Sequence, residues 1–108
     1  MTHYILLDDH NVRPCHFMEW AEQFEKMSKE NSRHVGHDLL GDYRVSTVWM
    51  GLDHSFCGKP PPLLFETMIF DGESLCELYM DRYTTWDEAV EGHKKAIQWV
   101  NEGATYDE

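Results

Sequence analysis

Two apolar runs in the middle of the chain alternate with a period of two. Over Tyr43–Met50, the side chains of Tyr43, Val45, Thr47 and Trp49 fall on one side and those of Arg44, Ser46, Val48 and Met50 on the other. Leu63–Phe70 repeats the pattern, with Leu63, Phe65, Thr67 and Ile69 opposite Leu64, Glu66, Met68 and Phe70. Both read as strands. Apolar residues on both faces predict central strands with partial cover on each side. Asp71-Gly72 is a hairpin signal and Leu75–Arg82 supplies a third strand, so an antiparallel meander is expected. Tyr4–Leu7, stopped by Asp8-Asp9, predicts a first or edge strand. A turn over Asp8–Asn11 follows, and Pro14 suits the approach to a helix.

The period lengthens to that of a helix in two places. Phe17, Trp20, Ala21, Phe24 and Met27 form one stripe, while Glu19, Glu22, Gln23, Glu25 and Lys26 take the other face. Such an aromatic stripe is a packing face. Thr85-Trp86-Asp87-Glu88 is a capping box, and the helix it starts runs to about Asn101. Its stripe of Trp86, Ala89, Val90, His93, Ala96, Ile97 and Val100 makes His93 a satisfied core histidine. Asn31–Gly41 is polar and reads as a connection. Within it, His34 and His37 stand three apart, a spacing that shares a metal on a helix but not evidently in a glycine-containing loop. The expectation is one α+β domain over residues 1–103 and a frayed tail over 104–108. In it, a three- to four-stranded, mainly antiparallel sheet carries two amphipathic helices.

Composition narrows the function classes. Among 108 residues, 42% are hydrophobic and 14 are aromatic, which argues for a folded core despite the charge. Twenty acidic residues against nine basic ones give −11, which opposes phosphate backbones and anionic membranes. That charge permits a basic protein partner, and in its plainest role it keeps a small protein dispersed. No apolar run approaches the roughly 20 residues that span a bilayer. Cys15, Cys57 and Cys76 form no CxxC pair and Met1–Leu7 has no signal-peptide character, so free thiols in a reducing cytoplasm are expected.

Candidate chemistry gathers in and around the loop between the two central strands. Glu66 stands in LLFETMIF, where a carboxylate must pair, protonate or face a cavity. Its structural reading is an ion pair with Arg44 or Arg82, or simple exposure on a half-covered face. Asp53 and His54 follow the first strand, where Asp53 can cap a turn and His54 can close it. Together Asp53, His54 and Glu66 are the candidates for an acid–base or metal-assisted enzyme. Lys59 precedes three prolines that stiffen the loop into the next strand. Cys57 lacks an evident base, and the seven histidines form no zinc signature, so neither a cofactor nor a metal is expected.

STVWMGLDHSF (Ser46–Phe56), PPLLFETMIF (Pro61–Phe70) and RYTTWDEAVEGH (Arg82–His93) resemble a family of small phage and prophage proteins or their bacterial-host counterparts. The resemblance touches YILLDDHNVRPC and the first helix as well. It implies a phage setting and supplies no mechanism. Cys57 and Lys59 depart from the glycine-rich or polar linker expected there. The favoured function is therefore a small acidic phage-associated accessory protein that binds a protein partner, with inhibition of a host factor as one form. Trp49, Asp53, His54, Phe56 and Lys59 would form the contact. Self-association through an exposed sheet edge is a further reading, and the small enzyme above is the alternative.

Overall fold

The computed structural model describes residues 2–55, 58–72 and 77–103. Phe56, Cys57, Leu75, Cys76 and the tail over 104–108 lie outside them. Eight elements follow in order: β1 (His3–Leu6), β2 (Val12–Cys15), α1 (Phe17–Glu30), β3 (His34–Leu40), β4 (Tyr43–Trp49), β5 (Phe65–Asp71), β6 (Glu77–Tyr83) and α2 (Trp86–Asn101). The protein is α+β. A four-stranded antiparallel sheet in the order β3-β4-β5-β6 carries α2 on one face, and β1-β2 form a separate hairpin.

The meander expected from β4, β5 and β6 is present, and β3 extends it at one edge. The polar stretch read as a connection is thus mostly strand. Its composition misleads because an edge strand with one uncovered face needs few apolar residues. A second difference lies at Pro14, which sits in β2 rather than leading into a helix. The two-stranded hairpin leaves β2 with a free side, which tolerates a residue without an N–H. The turn between β1 and β2 closes as its sequence suggests: Asp9 accepts from the Asn11 amide at 3.0 Å, and His10 adopts a left-handed φ of 70°.

α1 packs on the β1-β2 hairpin instead of lying across the sheet. The Gln23 amide pairs with both backbone groups of Leu6, at 3.0 and 2.8 Å, and the Trp20 indole donates to the Met50 carbonyl at 3.2 Å. Phe17, at the head of the stripe, is 57% exposed and makes edge contact with His3. The stripe runs as predicted except at two places: its first residue overshoots the hairpin, and Gln23, expected on the outer face, turns inward to Leu6.

α2 starts at the predicted capping box, with the Thr85 hydroxyl accepting from the Glu88 amide at 3.1 Å and Glu88 accepting from the Thr85 amide at 3.1 Å. His10 stacks on Trp86 with ring centroids 3.7 Å apart, tying the hairpin turn to the first turn of α2. Two apolar clusters form under this helix. One gathers Trp49, Leu64, Phe65 and Ala89; the other gathers Val45, Ile69 and Ala96.

Candidate functional site

Of the loop residues chosen from the sequence, the Asp53 side chain and the His54 backbone help to close the loop. Asp53 Oδ1 accepts from the backbone amides of Ser55 and Leu63, at 2.8 and 3.1 Å, so it pins both ends of the segment. Desolvation raises the Asp53 carboxyl, the amide bonds lower it, and the balance lies below the usual carboxylate range. The His54 amide donates to the Leu63 carbonyl at 3.0 Å, which makes it part of the same closure. Lys59 is exposed. Trp49, grouped with the contact residues from the sequence, is 1% exposed and packs on Phe65 with centroids 5.0 Å apart. It belongs to the core, because its strand position faces α2. Phe56 lies outside the described residues.

Glu66 accepts from Arg82 Nε at 3.0 Å, on the sheet face away from α2. The cross-strand register Glu66↔Arg82 sets this pair, and it is the structural reading of the carboxylate. Asp53 and Glu66 therefore sit in separate hydrogen-bonding sets with no shared partner. Among the described residues, no group of three or more His, Cys, Asp and Glu side chains is placed to hold a metal ion.

What the structure does bring together is a line of five polar side chains beneath α2. Asp38 Oδ2 lies 2.6 Å from His93 Nε2, His93 Nδ1 lies 2.7 Å from the Thr47 hydroxyl, and the Thr47 and Thr67 hydroxyls are 2.5 Å apart. The Tyr83 hydroxyl donates to Thr67 at 3.1 Å. The line crosses β3, α2, β4, β5 and β6, and lies between the two apolar clusters. One assignment of protons satisfies it throughout. A carboxylate only accepts, so His93 Nε2 carries the proton; Thr47 then donates to Nδ1, Thr67 to Thr47, and Tyr83 to Thr67. Thr47 and Thr67 are fully buried, whereas the Asp38 side chain is 46% exposed, so the line meets solvent through its carboxylate.

Asp38, His93 and Thr47 reproduce the carboxylate–imidazole–hydroxyl order of an acyl-transfer triad. The hydroxyl, however, is buried and closed off by Thr67, so no acyl group can reach it. The line acts as a polar seam between helix and sheet. Two glycines make room for it: a Cβ on Gly36 would come within 2.7 Å of the His93 ring, and one on Gly92 would run into the Tyr83 ring and hydroxyl.

Burial pushes the Tyr83 phenol up to about 12, even though its bond to Thr67 works the other way. Unfolded, the phenol ionises near 10, so between 10 and 12 the unfolded chain has lost a proton that the folded chain keeps. This contribution is present below pH 10 and is lost as the pH rises toward 12. Chemical denaturation followed from pH 9 to 12 should show falling stability, and Tyr83→Phe should flatten that fall. An unchanged slope in the variant would contradict the assignment.

The opposite face of the sheet is the second feature. Neither helix packs on it among the described residues. The expected partial cover on both sides of β4 and β5 is thus supplied on one side, because α1 is taken up by the hairpin. Cross-strand pairs place Leu39, Val48, Met68, Phe70 and Met80 on this face, with Leu39 71% and Met80 45% exposed. Arg44 lies over the Phe70 ring, 4.7 Å from its centroid. At that end, a hollow of about 420 Å³ is lined by Leu39, Asp42, Tyr43, Arg44 and Phe70 with two turn glycines. Sequence alternation marks the β4 and β5 members of this face. It could not mark Leu39, whose strand was not evident.

No family model, no curated protein and no solved structure matches this chain.

Proposed function

We propose that this protein works by binding another protein through the sheet face that α2 leaves open. The observation that supports this reading is the set of Leu39, Val48, Met68, Phe70 and Met80 on four strands, interspersed with Arg44, Ser46 and the Glu66–Arg82 pair, with no helix over it among the described residues. Exposed apolar side chains, with methionine, phenylalanine and arginine among them, are the composition of a contact surface. The hollow beside Phe70 offers a place for an anchoring side chain. The phage-like motif makes a host protein the partner of choice, and inhibition is the outcome expected if the bound surface is one the host protein uses.

A photo-crosslinking amino acid at Met80, compared with one at Glu91 on the exposed side of α2, tests this in host cells. Met80 should give one discrete product containing a second protein, and Glu91 should not. Leu39→Glu should lower the yield of that product about tenfold or more without lowering thermal stability, since Leu39 is mostly exposed. Equal products from both positions, no product, or a product at twice the chain's own mass would contradict the reading; the last would mean self-association.

A further inference from the structure

His34 and His37 were an unpromising pair in the sequence. In an uninterrupted strand, residues three apart point to opposite faces. A bulge between His34 and Gly36 takes up one residue, so His34 lies opposite Val48 and His37 opposite Ser46, both on the open sheet face. Their rings stand 5.1 Å apart between centroids, with 64° between planes. Two imidazoles that bind one tetrahedral metal, each through a nitrogen at about 2.0–2.1 Å, place their centroids about 5 Å apart. We propose that His34 and His37 form a two-imidazole site for a divalent transition-metal cation of the zinc type, at the β3 edge of the open face.

Imidazole suits borderline metals and not magnesium or calcium, which take oxygen ligands. Binding needs both rings neutral. Burial, reinforced by the charges of His37, Arg33 and Arg44, holds His34 below the ordinary histidine range. The same two arginines oppose a dication, and each is engaged elsewhere. Arg33 donates from Nε to the Trp49 carbonyl at 3.2 Å and lies over Phe24, while Arg44 lies over Phe70. Their charge weakens the binding without blocking the two rings. Asp38, next in sequence, faces α2 and is bound to His93, so it contributes no third ligand. With two protein ligands, the remaining coordination positions are open to water, or to a carboxylate or imidazole of a molecule docked on the same face. The site does not depend on the binding function proposed above, and the isolated protein tests it.

Zinc chloride titrated calorimetrically into the untagged full chain at pH 7.5 should reveal one saturable site per chain, and magnesium should not compete. His34→Asn and His37→Asn should each weaken binding by about tenfold or more, and the double variant should abolish it. His16→Asn, an exposed histidine on another element, should leave it unchanged. Nitrogen-15 spectra should show zinc moving the ring signals of His34 and His37. Full zinc affinity in the double variant, no saturable binding up to millimolar zinc, or equal shifts at all histidines would overturn the proposal. Circular dichroism of each variant shows that a loss is not unfolding; His37 is exposed, so its replacement removes little packing.

Discussion

Replacing Gly92 by alanine is expected to destabilise the fold by about 3 kcal/mol or more. On an exposed helix the same change stabilises by roughly 1 kcal/mol, because alanine is the better helix former. The sign reverses here because α2 lies directly on the Tyr83 ring, and a Cβ would occupy the space of that ring and its hydroxyl. Tyr83 cannot swing aside freely, since its hydroxyl is bonded to the buried Thr67. Either the ring leaves, or the helix lifts and strains the His93 bonds to Asp38 and Thr47. Urea denaturation measures the loss. Combining Gly92→Ala with Tyr83→Leu should cost less than the sum of the two single changes, because the clash is then gone. A Gly92→Ala protein as stable as the parent would show that the helix does not sit this close.

Thr47→Val should cost about 2–4 kcal/mol, although the two side chains have the same shape. The Thr47 hydroxyl is the middle link of the seam, used by Thr67 on one side and by His93 Nδ1 on the other. Valine removes both bonds, leaving the buried imidazole nitrogen without a donor and the Thr67 hydroxyl, still bonded to Tyr83, without an acceptor for its proton. Thr47→Ser keeps the hydroxyl and should lose only about 1 kcal/mol, for the missing methyl. The comparison separates polar satisfaction from packing. Equal losses for valine and serine would mean that the seam contributes shape alone.

Local rules found much of the architecture. The capping box at Thr85–Glu88, the period-two runs of β4 and β5 and the α1 stripe were all legible, since each depends on neighbours within a few residues. β3 was not legible, because an edge strand facing solvent lacks an apolar signature and Gly36 imitates a loop. The place of Gly36 becomes clear only with the His93 ring against it. Glu66 showed that it needed a partner, and Arg82 was one of two candidates. The register β5↔β6 chose between them. Trp49 looked as available as its neighbours in the loop, yet its side of β4 is the one that α2 covers.

By itself, then, the chain determined its α+β class, its central strands, both helices and the satisfied state of His93, because periodicity and capping act over single turns and adjacent residues. Tertiary structure decided what those elements expose and join. It set Asp38, Thr47, Thr67, Tyr83 and His93 in one seam, though the bonded partners are 16 to 55 residues apart. It drew α1 onto the hairpin and left one sheet face without a helix among the described residues. A single bulge turned His34 and His37 to the same side. The physical reason is common to all three: strand register and side-chain packing fix distant residues relative to one another, and no pattern within one strand or helix encodes the partner it will meet.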